Sequence, residues 1–256
     1  MFITIRFFAL AILAHFFAID STFASGGEHH TLLSAFGPNV HITGLIIVAS
    51  FLLVTMWLAR VRLARGFKNP QSLLIPESKL SFFNFFDLIA EMLFQFTESV
   101  LGKKEAKRHY SFIGSIFVII FASNLFGLIP GMMPPTDNIN TTIAFGLFVF
   151  IYYNAMGFKE HGISYLKQFA GPLWWLAIIM IPIEIISHIV RPLVLGLRLR
   201  GNIYADHQVL SIFSDLAPIG VPVVFYGMGL FVCFMQAFVF TTLTMIYISM
   251  ATSHDH

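Results

Sequence analysis

The amino-acid sequence predicts an all-α membrane protein. About five membrane-crossing helices are expected, plus an interfacial amphipathic helix, with the last two spans long and steeply tilted as a hairpin. Three observations carry that expectation. Of 256 residues, 57% are hydrophobic and only 11% charged. Soluble domains carry roughly a quarter charged residues, so this chain has too little polar surface to face water all round. Second, residues 40–59, 111–130, 141–158 and 216–249 contain no Asp, Glu, Lys or Arg, and each meets or approaches the roughly 20 residues that cross a bilayer. Third, residues 173–214 form another apolar region, too long for one upright span and interrupted by charge.

The elements follow in order. Residues 1–25 place Arg6 before an apolar stretch and then Ser21, Thr22, Ala24 and Ser25, the order of a signal peptide or a short N-terminal anchor. Residues 26–256 then make a single polytopic membrane domain. Arg60, Arg62, Arg65 and Lys68 close the first span. In residues 81–102 the polar positions Asn84, Asp87, Glu91, Gln95 and Glu98 recur every three or four residues on an apolar background. That is one narrow polar stripe, expected to lie in the membrane interface as a structural collar or to pack on its neighbours with the stripe facing water. Lys103, Lys104, Lys107 and Arg108 precede the second span, and Lys159 and Lys167 follow the third. The positive-inside rule places these three clusters in the cytoplasm. Residues 131–140 and the N-terminus are then outside and the C-terminus inside.

The last two regions overshoot. Forty-two helical residues would reach about 63 Å and residues 219–250 about 48 Å, against about 30 Å of hydrocarbon. Two over-long neighbours joined at Ala217-Pro218-Ile219-Gly220 suit an inclined wall curved around a partner. Cys233 is the only cysteine, so no disulfide forms within the chain; it reads as a buried small hydrophobe. A net charge of +2, with no basic block interleaved with aromatics, gives no reason to expect a nucleic-acid partner.

The charged region holds the chemistry. Its ionisable residues are Glu184, His188, Arg191, Arg198, Arg200, Asp206, His207 and Asp215. An ionised side chain at mid-membrane costs about 3 kcal/mol even on lenient scales, so each persists where water, a partner or a function receives it. Glu184, His188 and Arg191 are spaced to touch one another on a helix, as a structural ion cluster or as part of a path. Arg200 either snorkels or pairs with Asp206. Arg198 has no acid three or four residues away. Its guanidinium does not deprotonate, so it suits holding a carboxylate ionised and blocking a proton wire, and the acid is expected on another subunit. His207 is about half a turn out of phase with Arg198.

The run Leu195-Gly196-Leu197-Arg198-Leu199-Arg200-Gly201-Asn202-Ile203-Tyr204-Ala205 closely resembles the signature of subunit a of F-type ATP synthases. The likeness extends to Ser123-Asn124-Leu125-Phe126-Gly127-Leu128-Ile129-Pro130, to residues 135–142, to Gln236-Ala237-Phe238-Val239-Phe240 and to Tyr247-Ile248-Ser249-Met250-Ala251. The resemblance implies a non-catalytic, proton-translocating stator of a bacterial inner-membrane complex. It would offer two aqueous half-channels to a ring of c subunits and attach to a subunit b stalk. Arg198 resembles the family's essential arginine and Gln236 the glutamine that faces it. Asn202 and Glu184 match polar positions of the half-channels, with His188 beside Glu184. His207 stands where many bacterial members have an acid, and Gly229 where the complementary His or Glu usually is. Asn138 replaces the usual Asp, with Asp137 one place earlier, and Gly127 replaces an acid found in some members. No cofactor or metal is implied. The rivals are a self-contained channel or transporter, against which stands the lack of matching interrupted helices, and an intramembrane metalloenzyme, against which stands the lack of histidine ligand spacing.

Overall fold

The structure is a computed structural model that describes residues 40–66, 82–129, 132–162, 165, 177–216 and 221–252. The leader-like residues 1–25, the terminal histidines and the joint at 217–220 lie outside the described residues. Among the described residues five helices are long and apolar enough to cross a membrane, and there is no strand. The all-α expectation holds.

Helix α1 (Val40–Gly66) continues from its apolar span through the first arginines. Helix α2 (Phe82–Phe126) is two helices joined at an elbow, Gly102, with φ 78° and ψ 163°. Such backbone is open only to glycine. Before the elbow runs the amphipathic segment: Asp87, Glu91 and Gln95 are exposed while Leu93 and Thr97 are buried. After it, the helix passes through the basic cluster into the second span. A 3-10 turn, Pro135–Asp137, leads into α3 (Ile139–His161), whose N-cap is Asn138, its side chain accepting the Asn140 N–H at 2.9 Å. Asn138 therefore supplies the capping oxygen. Helices α4 (Ala177–Leu216) and α5 (Val221–Thr252) have 40 and 32 residues, about 60 and 48 Å of helix, longer than a hydrocarbon core. Both run on as the sequence predicts.

Two packings organise the bundle: α2 against α5, and α3 against α4. Their shared core includes Ile113, Ile120, Val149, Leu195, Leu199, Phe240 and Ile248. In lipid the helices gain by close backbone approach through small residues, and α3 and α4 use it. A Cβ at Gly196 would stand 2.8 Å from the Thr142 carbonyl oxygen, and one at Gly146 would overlap the Pro192 carbonyl oxygen. Cys233 is buried as expected. At the end of the bundle bearing Lys103–Arg108, Arg108 pairs with Glu160 at 2.9 Å. Beside it the buried His109 ring bonds Tyr152 at 2.8 Å and Glu105 at 3.2 Å, tying α2 to α3.

Candidate functional site

Helix α4 presents ionisable and amide side chains at three depths. In the middle, Val194, Arg198 and Asn202 follow one another by steps of four and are all exposed, neighbours on the helix surface, with Val190 one further turn back. Arg198 is exposed and makes no ion pair or hydrogen bond among the described residues. Its neighbours toward Glu184 are bare hydrocarbon: Val190 is 41% and Val194 43% exposed. One turn on, the Asn202 Nδ2 donates to Gln236 Oε1 of α5. Gln236 is buried, and its Nε2 has no partner among the described residues.

Toward the basic end, Arg191 donates to Glu184 at 3.2 Å and lies over the Tyr247 ring at 5.9 Å. The spacing of Glu184, His188 and Arg191 allows a trio, but the structure divides it. His188 turns into the bundle, buried, with Nε2 2.8 Å from Asn154 Oδ1 of α3. The same oxygen accepts the Tyr165 hydroxyl at 3.1 Å. These groups surround a cavity of about 30 Å³, lined by Tyr153, Tyr165, Glu184, His188, Arg191 and Tyr247 among others. That is room for a water molecule.

Toward the opposite end, Arg200 does not pair with Asp206; its Nε donates to the Asp137 carbonyl at 3.0 Å. Asp206 reaches α5 instead. A Cβ at Gly229 would come within 3.0 Å of Asp206 Oδ2 and 2.8 Å of Leu128 Cδ2, so the missing side chain at 229 makes the space the carboxylate fills. His207 is partly buried, within electrostatic reach of Asp137 and Asp206. Below them Asn124 and Thr136 are buried and joined, the Thr136 hydroxyl donating to Asn124 Oδ1 at 2.7 Å.

All six residues singled out in the sequence thus lie on α4 or, for Gln236, on α5 facing it. Asn202 and Gln236 touch, Glu184 and His188 share one cavity, and among the described residues neither Arg198 nor His207 makes a hydrogen bond or ion pair with any of the other five. Sequence reasoning missed Asp206, Asn154 and Tyr165 as members of these clusters. Asp206 was visible as an acid in an apolar helix; Asn154 was a lone amide in the third span; nothing in the sequence pointed to Tyr165.

Five spans with ionisable side chains held at membrane depth define a polytopic helical membrane protein of the kind in which intramembrane charge marks an ion path. The chain belongs to the ATP synthase subunit a family: the family model described as ATP synthase A chain matches residues 40–249. It is 50% identical over 199 residues to ATP synthase subunit a of Bdellovibrio bacteriovorus, covering 77% of this chain and 85% of that one. It is 44% identical over 173 residues to the Geobacter sulfurreducens subunit, 68% and 75% of the two chains. With that of Sorangium cellulosum it shares 40% over 212 residues, 82% and 83%. It is accordingly a non-catalytic membrane subunit of the ATP synthase.

Proposed function

We propose that this chain is the proton-conducting stator of a bacterial inner-membrane F-type ATP synthase, with Arg198 separating two aqueous half-channels that open on opposite faces. The observation that carries the proposal is the unpaired Arg198 on an exposed apolar strip. A permanent cation there needs an acid supplied by a partner, and a c-ring carboxylate arriving at the strip supplies it. Asp206, His207 and Asn202 belong to the path from outside; Glu184 and His188 belong to the path to the cytoplasm. A proton delivered on the outer side neutralises the ring carboxylate, which can then face lipid at little electrostatic cost. When the carboxylate returns to Arg198, the cation favours the ionised form and the proton leaves by the cytoplasmic path. Asn202, on the exposed surface beside Arg198, is braced by its hydrogen bond to the buried Gln236. A subunit b stalk would hold the chain still, with the N-terminus outside and the C-terminus cytoplasmic.

The test is ATP-driven proton pumping in inverted membrane vesicles carrying Arg198→Ala or Arg198→Lys. Both are expected to abolish coupled pumping while the complex still assembles, because an exposed side chain contributes little to packing. Lysine fails because it lacks the planar fork and can lose its proton. Normal pumping with Arg198→Lys would overturn the assignment.

A further inference from the structure

We infer that Arg200 is a positioning residue of the outer path: through its Nε hydrogen bond, and not through its charge, it fastens the Pro135–Asp137 turn to α4 and holds Asp137 where it acts on His207. This rests on the two-path function proposed above. Arg200 stands two residues after Arg198, which turns it about 200° around the helix. Arg198 is exposed, whereas Arg200 is partly buried and its Nε donates to the Asp137 carbonyl at 3.0 Å. The acceptor is backbone, so the bond fixes the course of the chain at the turn. His207 lies seven residues after Arg200, two turns on along the same face. A turn fastened to that face brings Asp137 within electrostatic reach of the His207 ring.

The rest of the turn is tied to the other helices. The Asp137 N–H donates to the Pro134 carbonyl at 3.0 Å, and the Thr136 hydroxyl holds Asn124 of α2 at 2.7 Å. A Cβ at Gly127 would overlap the Pro134 ring, and one at Gly44 of α1 would stand 3.2 Å from Pro135. Asn138 caps α3 directly after the turn. Arg200 adds the tie to α4, the helix that carries His207. The charged groups within reach of His207 are Asp137 from the turn and Asp206 of its own helix. Helix α5 brings the Cys233 thiol, which lies in the field of Asp206, and α3 adds no charge within reach of the ring among the described residues. Arg200 therefore acts on the ring by way of the turn. A carboxylate held near an imidazole favours its protonated form, so the position of the turn sets the pH at which His207 exchanges its proton.

The experiment is passive proton conductance through inverted vesicles stripped of the soluble sector, loaded at a series of lumen pH values while the cytoplasmic face is held fixed. Asp137→Asn should move the midpoint of the profile to lower pH by about one unit, because the imidazolium loses a nearby anion. Arg200→Met, similar in length but without a donor, should move it the same way. Arg200→Gln should keep the parent profile: its Nε2 is carried on Cδ, as the arginine Nε is, so the donor stays while the charge goes. In an Asp137→Asn background, Arg200→Met should add no further shift. Thr136→Val cuts the bond to Asn124 and leaves Arg200 in place; it should shift the midpoint the same way by less, and it decides the question where the Arg200→Met complex does not assemble. The inference is overturned by a parent profile in Arg200→Met, or in Thr136→Val where that variant decides. It is equally overturned by an Arg200→Gln profile displaced as far as that of Arg200→Met, or by full additivity of Arg200→Met with Asp137→Asn. Failure of the underlying function would show differently, as coupled pumping retained by Arg198→Ala in the same membranes.

Discussion

A single residue step separates Asp206 from His207, and that step turns the helix by about 100°. The step decides which of the two meets α5. Asp206 fills the space over Gly229 while His207 lies in the field of Asp137 and Asp206. A leucine at 229 would collide with both Asp206 and Leu128, so Gly229→Leu should cut passive proton conductance at least tenfold. His207→Ala should slow it several-fold and leave ATP-driven rotation detectable. Equal conductance in His207→Ala and the parent, across a pH series on the outer face, would remove His207 from the path. Arg198 was legible in the sequence because an intramembrane charge is costly enough to need a reason, and Asn202 and Gln236 were singled out only through the family resemblance. The orientation of the 206–207 pair was not legible, since the direction of a side chain on a wholly apolar helix is settled by its neighbours. The same limit applies to His188, whose spacing matches Glu184 and Arg191 but whose bond goes to Asn154 on another helix.

At the scale of elements, the amphipathic segment was legible because its polar stripe is periodic, whereas the elbow at Gly102 comes from the structure. Glycine has a reason there: φ 78° with ψ 163° excludes a Cβ at a cost of about 1–3 kcal/mol. Gly102→Ala should therefore lower the thermal stability of the detergent-solubilised complex, although no neighbour lies within 4 Å of the added Cβ. An unchanged melting temperature would show that the elbow relaxes freely. The segment before the elbow makes its own prediction. In membranes, cysteines in Asp87→Cys and Glu91→Cys should react with an impermeant thiol reagent from the cytoplasmic side, and Leu93→Cys, 5% exposed in the parent, should be protected. Equal labelling of all three would leave the stripe without structural meaning, and labelling from outside would reverse the topology.

For the whole molecule, helix number and excess length were legible from hydropathy, but the pairing of α2 with α5 and of α3 with α4 was not. Helices apolar all round show no face to choose between partners, and the choice falls to backbone approach at Gly146 and Gly196. That packing holds the three depths of α4 at fixed separations: about 21 Å from Arg198 to Glu184 and about 12 Å from Arg198 to Asp206 along the helix. Between the Glu184 cluster and Arg198 the exposed surface of α4 is hydrocarbon, which passes no proton, and Arg198 itself is a permanent cation. The gap must be crossed by a carrier that takes a proton at one cluster and gives it up at the other, and among the described residues no acid meets Arg198. The chain reconstituted alone into liposomes should therefore conduct no protons above the lipid background, and adding the c-ring should restore conductance sensitive to Arg198→Ala. Proton flux through the chain alone, lost in His188→Gln or Gly229→Leu, would instead establish a self-contained channel and leave Arg198 without the role assigned to it.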